Sequence, residues 1–204
     1  KRDIPSDIEI GISSDSTRYI RKSIGEVEET IIIAFILVIL IIFLFLRDWR
    51  TTIIPILAIP ISLIGAFFIM YFMNFTINVL TLLGIVLAIG LVVDDAIVVL
   101  DNIYKKIEDG MEPMEAGMKG SAEIFFAIIS TTVALAVVFL PIIFLQGLTG
   151  RLFREFGIVI ASSVIISAFV ALTLTPMLST RIIKRRAHHS KFYQLTEPFF
   201  VKFI

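Results

Sequence analysis

A chain of 204 residues with 57% hydrophobic residues and 18 phenylalanines, at a mean hydropathy of +0.96, is far more apolar than a soluble domain, which runs nearer roughly half. It reads as a membrane protein. Basic and acidic residues balance at 18 each, so net charge gives no reason to expect nucleic acid or an acidic partner, and the lack of cysteine excludes disulfides and thiolate metal sites.

In chain order, Lys1 to Glu29 is polar and holds no apolar core of a secretory signal, so the chain reads as though cut from something longer. Ile8, Ile10 and Ile12 alternate with Glu9 and Gly11, a short strand signal that needs pairing from other residues. Pro5 and the Ser13 to Ser16 cluster bracket it, with Asp15 or Ser16 a candidate N-cap. From Thr17 a helical pattern runs continuously, through the capping-box spacing of Ser23 and Glu26, into a first span at about 29–47. Arg47, Asp48, Trp49 and Arg50 form an interfacial stop.

The second span covers about 52–73. Pro55 is expected in its first turn, and Pro60 is expected to kink it by removing a backbone donor. Asn74 to Asn78 is an uncharged turn before the third span, about 77–101. Tyr104 to Gly120 reads as a polar connection punctuated by Gly110, Pro113 and Gly117. The fourth span, about 121–145, carries Ser130, Thr131 and Thr132 near its middle, hydroxyls expected to bond to their own helix backbone. Gln146, Gly147 and Gly150 are expected to close it. Arg151 to Glu155 then lead into a fifth span, about 154–178, with Ser162, Ser163, Ser167 and Pro176. In the basic tail, Phe192, Leu195 and Phe199 have the spacing of a helix lying in the membrane interface, and His188 and His189 read as a solvated pair rather than metal ligands.

The third span holds the main functional clue, Asp94 and Asp95 within an apolar run. A carboxylate in hydrocarbon is costly and by default marks a functional site. The structural alternative is a pair solvated at the membrane exit. Against it, five apolar residues from Ala96 to Leu100 follow, and acids suit the last turn of a helix poorly. Gly84, Ala88, Leu91 and Asp95 share one helix stripe, and Gly90, Asp94 and Asp101 share the neighbouring one. Gly84 and Ala88 form a small-xxx-small pair that admits a close neighbour, so one acid is expected to face another helix. The site set is therefore Asp94 and Asp95, with Gly84, Ala88 and Gly90 packing around them.

Asn78, Thr81, Leu82, Gly84, the run VLAIGLVVDDAIVV from Val86 to Val99, and Asn102 resemble the fourth transmembrane helix of the resistance-nodulation-division (RND) efflux permeases, in their hydrophobe/amphiphile branch that includes multidrug pumps. The heavy-metal branch usually has Asp-Ala where this chain has Asp-Asp, and the present Asp101 stands where Glu is commoner. Pro55, Ala58, Pro60, Ser62, Leu63, Gly65 and Phe67 resemble the third helix of the same permeases. Gly110, Pro113 and Ala116, then Pro141, Gly147 and Gly150, then Leu172 to Pro176, extend the match.

The resemblance implies a polytopic all-α bundle of five transmembrane helices, equivalent to helices two to six. Residues 1–22 would end a periplasmic domain, 23–180 would form a transmembrane half-bundle, and 181–204 would form a cytoplasmic basic segment and interfacial helix. It also implies a proton-driven antiporter of the bacterial inner membrane with Asp94 and Asp95 as proton relay and no cofactor. Its partners would be the bilayer, the other half of the permease, which supplies the cation missing from these spans, and a homotrimer with periplasmic adaptor and outer-membrane channel. An accessory module for protein or lipid export with a similar relay is the alternative. An intramembrane aspartyl protease is disfavoured, because adjacent residues diverge by about 100° on a helix and cannot share one water. The transported substrate is not legible.

Basic residues concentrate at Arg47 and Arg50, at Lys105, Lys106 and Lys119, and at Arg181 to Lys191, whereas Asn74 to Asn78 has none. The positive-inside rule makes those three connections cytoplasmic, which puts the chain's start outside and implies a preceding helix. Single cysteines at Trp49, Glu108 and Lys184 should therefore label only from the cytoplasm, and those at Asn74 and Gly147 only from outside. External labelling at Glu108 would sink the five-span topology.

Overall fold

Residues 16–183 are described by a computed structural model. They form five helices: α1 (Ser16–Leu46), α2 (Trp49–Phe72), α3 (Val79–Glu108), α4 (Pro113–Ile143) and α5 (Gly147–Ile182). All five are long and apolar enough to cross a membrane. The strand expected at Ile8 to Ile12, the interfacial helix at Phe192 to Phe199, and His188 and His189 lie outside the described residues.

Local chemistry sets the helix ends. Asp48 caps α2, its carboxylate accepting from the Thr51 amide at 3.4 Å while the Thr51 and Thr52 hydroxyls donate to its carbonyl at 2.8 Å. Asn78 caps α3 with its Oδ1 2.9 Å from the Thr81 amide, and the Thr81 hydroxyl returns the favour to the Asn78 amide at 2.9 Å. A threonine thus does at the third position what Glu or Gln does in the usual capping box. The spare Asn78 Nδ2 donates to Glu155 of α5 at 3.0 Å, tying the starts of two helices together.

Three boundaries differ from expectation. The polar connection expected from Tyr104 to Gly120 shrinks to residues 109–112, because α3 runs to Glu108 and α4 starts at Pro113. Lys105 and Lys106 sit in the last turn of α3, where the helix dipole favours cations, and Pro113 needs no amide partner in a first turn. Likewise, Gln146, Gly147 and Gly150 do not close α4: Gln146 caps α5 and both glycines belong to its first turn, Gly147 at φ 82° and Gly150 so close to the Leu145 carbonyl that a Cβ would collide. Finally, α2 begins at Trp49, so Pro55 falls in its second turn rather than its first. The helix continues through both Pro55 and Pro60.

The core is organised around α5, which packs against α2, α3 and α4, while α1 packs only on α2 and α3. Its central members include Ile54 and Ala58 of α2, Ala96, Val99 and Ile103 of α3, and Ala168 and Ala171 of α5. The outer helices α1 and α4 remain largely uncovered, showing residues such as Ile32, Ile36, Leu40, Phe126, Val133 and Val138. Such surfaces suit lipid, and the helical backbone meets its own hydrogen-bonding needs there.

Helix contacts of this kind depend on small residues. A Cβ at Gly120 of α4 would stand 2.9 Å from the Ile103 side chain and 3.2 Å from the Ile103 Cα of α3, whereas one at Gly90 would meet nothing within 4 Å. Gly120→Ala should therefore push α3 and α4 apart and cost about 1–3 kcal/mol, in the manner of an overpacked core. Gly90→Ala should cost nothing. Thermal unfolding in detergent compares them, and equal melting temperatures would contradict the packing described.

Candidate intramembrane carboxylate site

The middle of α3 divides its two acids between two environments. Asp95 is buried, at 8% exposure, on the stripe that also buries Gly84 and Ala88. Asp94, one residue back, is exposed, and so is Gly90 one turn before it. Gly84 is the reason α5 comes close: a Cβ there would lie 3.3 Å from the Phe156 ring and 3.5 Å from Ile160. The small-residue stripe thus brings α5 against the same face as Asp95. Leu91, expected on that stripe, is half-buried.

Ser167 of α5 crosses to α3, its hydroxyl donating to the Val92 carbonyl, three residues before Asp95, at 2.9 Å. Both residues are almost wholly enclosed, Ser167 at 1% exposure. The serines of α5 look alike in sequence, yet Ser162 and Ser163 donate to the Val159 carbonyl of their own helix, at 3.0 and 2.7 Å. Thr131 and Thr132 of α4 behave as expected too, donating to the Ile128 carbonyl at 2.9 and 2.7 Å. Ser167 makes the cross-helix contact that the sequence did not single out from the other serines of the span. Its one signal was its place on the row Ser163, Ser167, Ala171, Thr175 and Ser179, spaced every four residues and buried throughout.

On the other face, Asp94 and Gly90 lie among the exposed side chains of Leu83, Leu87 and Val98. Further along, Asp101 and Asn102 help line an open groove of about 470 Å³ with Phe45, Leu46, Ile97 and Val98. Asp101 pairs with Lys105 at 2.6 Å and Lys106 with Glu123 at 2.7 Å, and Asn102 donates to the Gly120 carbonyl at 2.8 Å. These ion pairs occupy the Glu108 end of the helix. None reaches the two acids. Among the described residues no group of three or more metal-ligating side chains comes together.

Chemically, the arrangement offers one carboxyl enclosed between helices beside a hydroxyl, and a second on an apolar face. A carboxyl enclosed in an apolar setting is costly and marks a candidate functional group. Adjacent on the helix, the two diverge by about 100°, unlike the facing pair in which two carboxyls share one water.

Comparison with known proteins places this geometry. The sequence model of the AcrB/AcrD/AcrF family matches residues 1–204. The chain is 48% identical over 181 residues to the multidrug resistance protein MdtC of Pectobacterium atrosepticum, covering 89% of this chain and 18% of that protein. The identity to MdtC of Photorhabdus laumondii and of Escherichia coli O139:H28 is also 48%, with the same coverage. The chain spans 18% of the length of these curated relatives. With the family's sequence model matched from end to end, the chain belongs to the AcrB/AcrD/AcrF family of RND multidrug permeases.

Proposed function

We propose that this chain is the proton-relay part of a proton-driven efflux permease, with Asp94 and Asp95 loading and releasing protons and the change in charge shifting the packing of α3 against its neighbours. The single observation that carries the reading is the enclosure of Asp95 between α3 and α5, at 8% exposure, in spans with no lysine, arginine or histidine short of their ends. A neutral acid fits that setting and an ionised one does not, so proton binding and helix packing are coupled by the cost of burying charge. Gly84 and Ala88 give α5 its close approach, and a close approach makes that coupling steep.

The substrate follows from kinship rather than geometry. Relatives named multidrug resistance proteins support export of drugs or other amphiphiles. The same kinship supports a bacterial inner-membrane location and a trimer working with a periplasmic adaptor and an outer-membrane channel. An accessory role in protein or lipid export would use the same relay, and transport assays on the complete permease separate the two. Proteolysis is disfavoured by the divergence of Asp94 and Asp95 and by the lack of an aspartate in any other span.

In a full-length permease carrying this segment, Asp94→Asn and Asp95→Asn should each reduce proton-driven drug export to the level of cells without the pump, because the amide keeps the shape and removes titration. Expression and membrane insertion should stay at wild-type levels. Drug accumulation measured with and without the proton gradient checks this, and export retained in both variants would make the pair structural.

A further inference from the structure

The polar side chains where α3 ends and α4 begins are of two kinds. Asp101 with Lys105, and Glu115 with Lys119, pair four residues apart at 2.6 Å each, and a pair inside one helix leaves the setting of that helix against the next untouched. Asn102 and Lys106 of α3 cross instead to α4. Asn102 Nδ2 donates to the Gly120 carbonyl at 2.8 Å and stands 3.4 Å from Glu123 Oε2, while Lys106 pairs with Glu123 Oε1 at 2.7 Å. The missing side chain of Gly120 admits this contact: Gly120 is buried, and a Cβ there would lie 3.2 Å from the Ile103 Cα, so the two backbones meet beside Asn102.

Both crossing side chains share the stripe of Asp95. Asn102 follows it by seven residues and Lys106 by eleven, which at about 100° per residue puts each within about 20° of its direction. Gly84 and Ala88 precede it by the same two intervals. Along this one stripe the neighbour changes, from Phe156 and Ile160 of α5 beside Gly84 to Gly120 of α4 beside Asn102. Rotation of α3 about its axis therefore cannot move Asp95 without moving Asn102. A turn of about 30° sweeps a side-chain tip, about 5–6 Å from the axis, through roughly 3 Å, which is more than a hydrogen bond tolerates.

We propose that Asn102 is a positioning residue: its bond to the Gly120 carbonyl, backed by the ion pair of Lys106 with Glu123, holds α3 at one rotation against α4, and that rotation keeps Asp95 turned into the seam with α5. The acid then takes its angular setting from a contact about 10 Å further along the helix, seven residues at about 1.5 Å each. The ion pair is the weaker half of the clamp, because the Glu123 side chain is 56% exposed and water screens it. The consequence for transport rests on the reading of Asp95 as a proton carrier; the positioning does not.

The test uses a full-length permease carrying this segment, with drug export and pH-induced infrared difference spectra as its readouts. Asn102→Ala should lower export about tenfold, as the loss of one well-placed hydrogen bond does. It should also shift the carboxyl stretching band that Asp95→Asn abolishes, because the carboxyl leaves its enclosed setting. Asn102→Asp, which keeps the shape and loses the donor, should do the same. Lys106→Glu should shift the band as well, and adding Glu123→Lys, which restores the pair with its charges exchanged, should return band and export toward wild type. Lys105→Ala, which breaks only a pair inside α3, should change neither. A band unmoved in Asn102→Ala would overturn the proposal, however far export falls, since weaker packing alone lowers export without turning Asp95. If Asn102→Ala does not insert, Lys106→Glu and its exchanged double variant decide in its place, and an unmoved band in the single variant overturns the proposal. Export retained in Asp95→Asn would sink the relay reading alone, and the band would still decide whether Asn102 sets the surroundings of that carboxyl.

Discussion

In hydrocarbon no water is at hand to take up a hydrogen bond, so each polar group in these spans must find its partner in protein. That constraint shapes most of what the five helices do. Backbone groups are satisfied inside each helix. Side-chain hydroxyls fall back on carbonyls three or four residues earlier, as in Thr131, Thr132, Ser163, Thr173 and Ser179. Against this self-sufficient background, a side chain that reaches out of its own helix stands apart, and Ser167 does so at the level of the buried acid.

The same constraint explains why α5 is the hub. A helix that buries a row of small hydroxyl and alanine side chains can be approached on several sides at once, and α5 is met by α2, α3 and α4. Gly65 of α2 lies so near Ile166, and Gly117 of α4 so near Thr180, that neither site has room for a larger side chain without movement. Close packing of this type resists gradual deformation. Two hydroxyls in this region, on Ser62 of α2 and Thr175 of α5, are fully buried and have no hydrogen-bond partner. Each such hydroxyl costs about 1–3 kcal/mol, and both belong to the two helices that press on each other beside α3.

Much of this was legible in the sequence. The number of spans, the uncharged Asn74 to Asn78 turn and the stripe of Gly84, Ala88 and Asp95 all follow from apolar length and helical period, which depend on local sequence alone. The misplaced boundaries share one cause. In the sequence Lys105, Lys106, Arg151 and Arg154 read as connections, yet charge marks only where hydrocarbon ends, and a helix is free to continue past that point into water. Gly90 was grouped with the packing residues because it lies beside the stripe, but rotation about the helix carries it to the open face with Asp94. Ser167 was not separable from Ser162 and Ser163 because the distinction between bonding within a helix and across helices is set by tertiary contact.

The doubled aspartate has a further consequence. Adjacent positions on a helix differ by about 100° in direction, so a pair of identical side chains placed side by side cannot share one environment when one face is packed and the other is not. Here Asp95 enters the seam with α5 and Asp94 does not. The two have the same chemistry and different surroundings, Asp95 at 8% exposure in the packed seam and Asp94 on the open apolar face. Duplication of one residue type thus yields two environments within a single helical turn, and the division is imposed by helix geometry together with the small residues that let α5 lie close on one side.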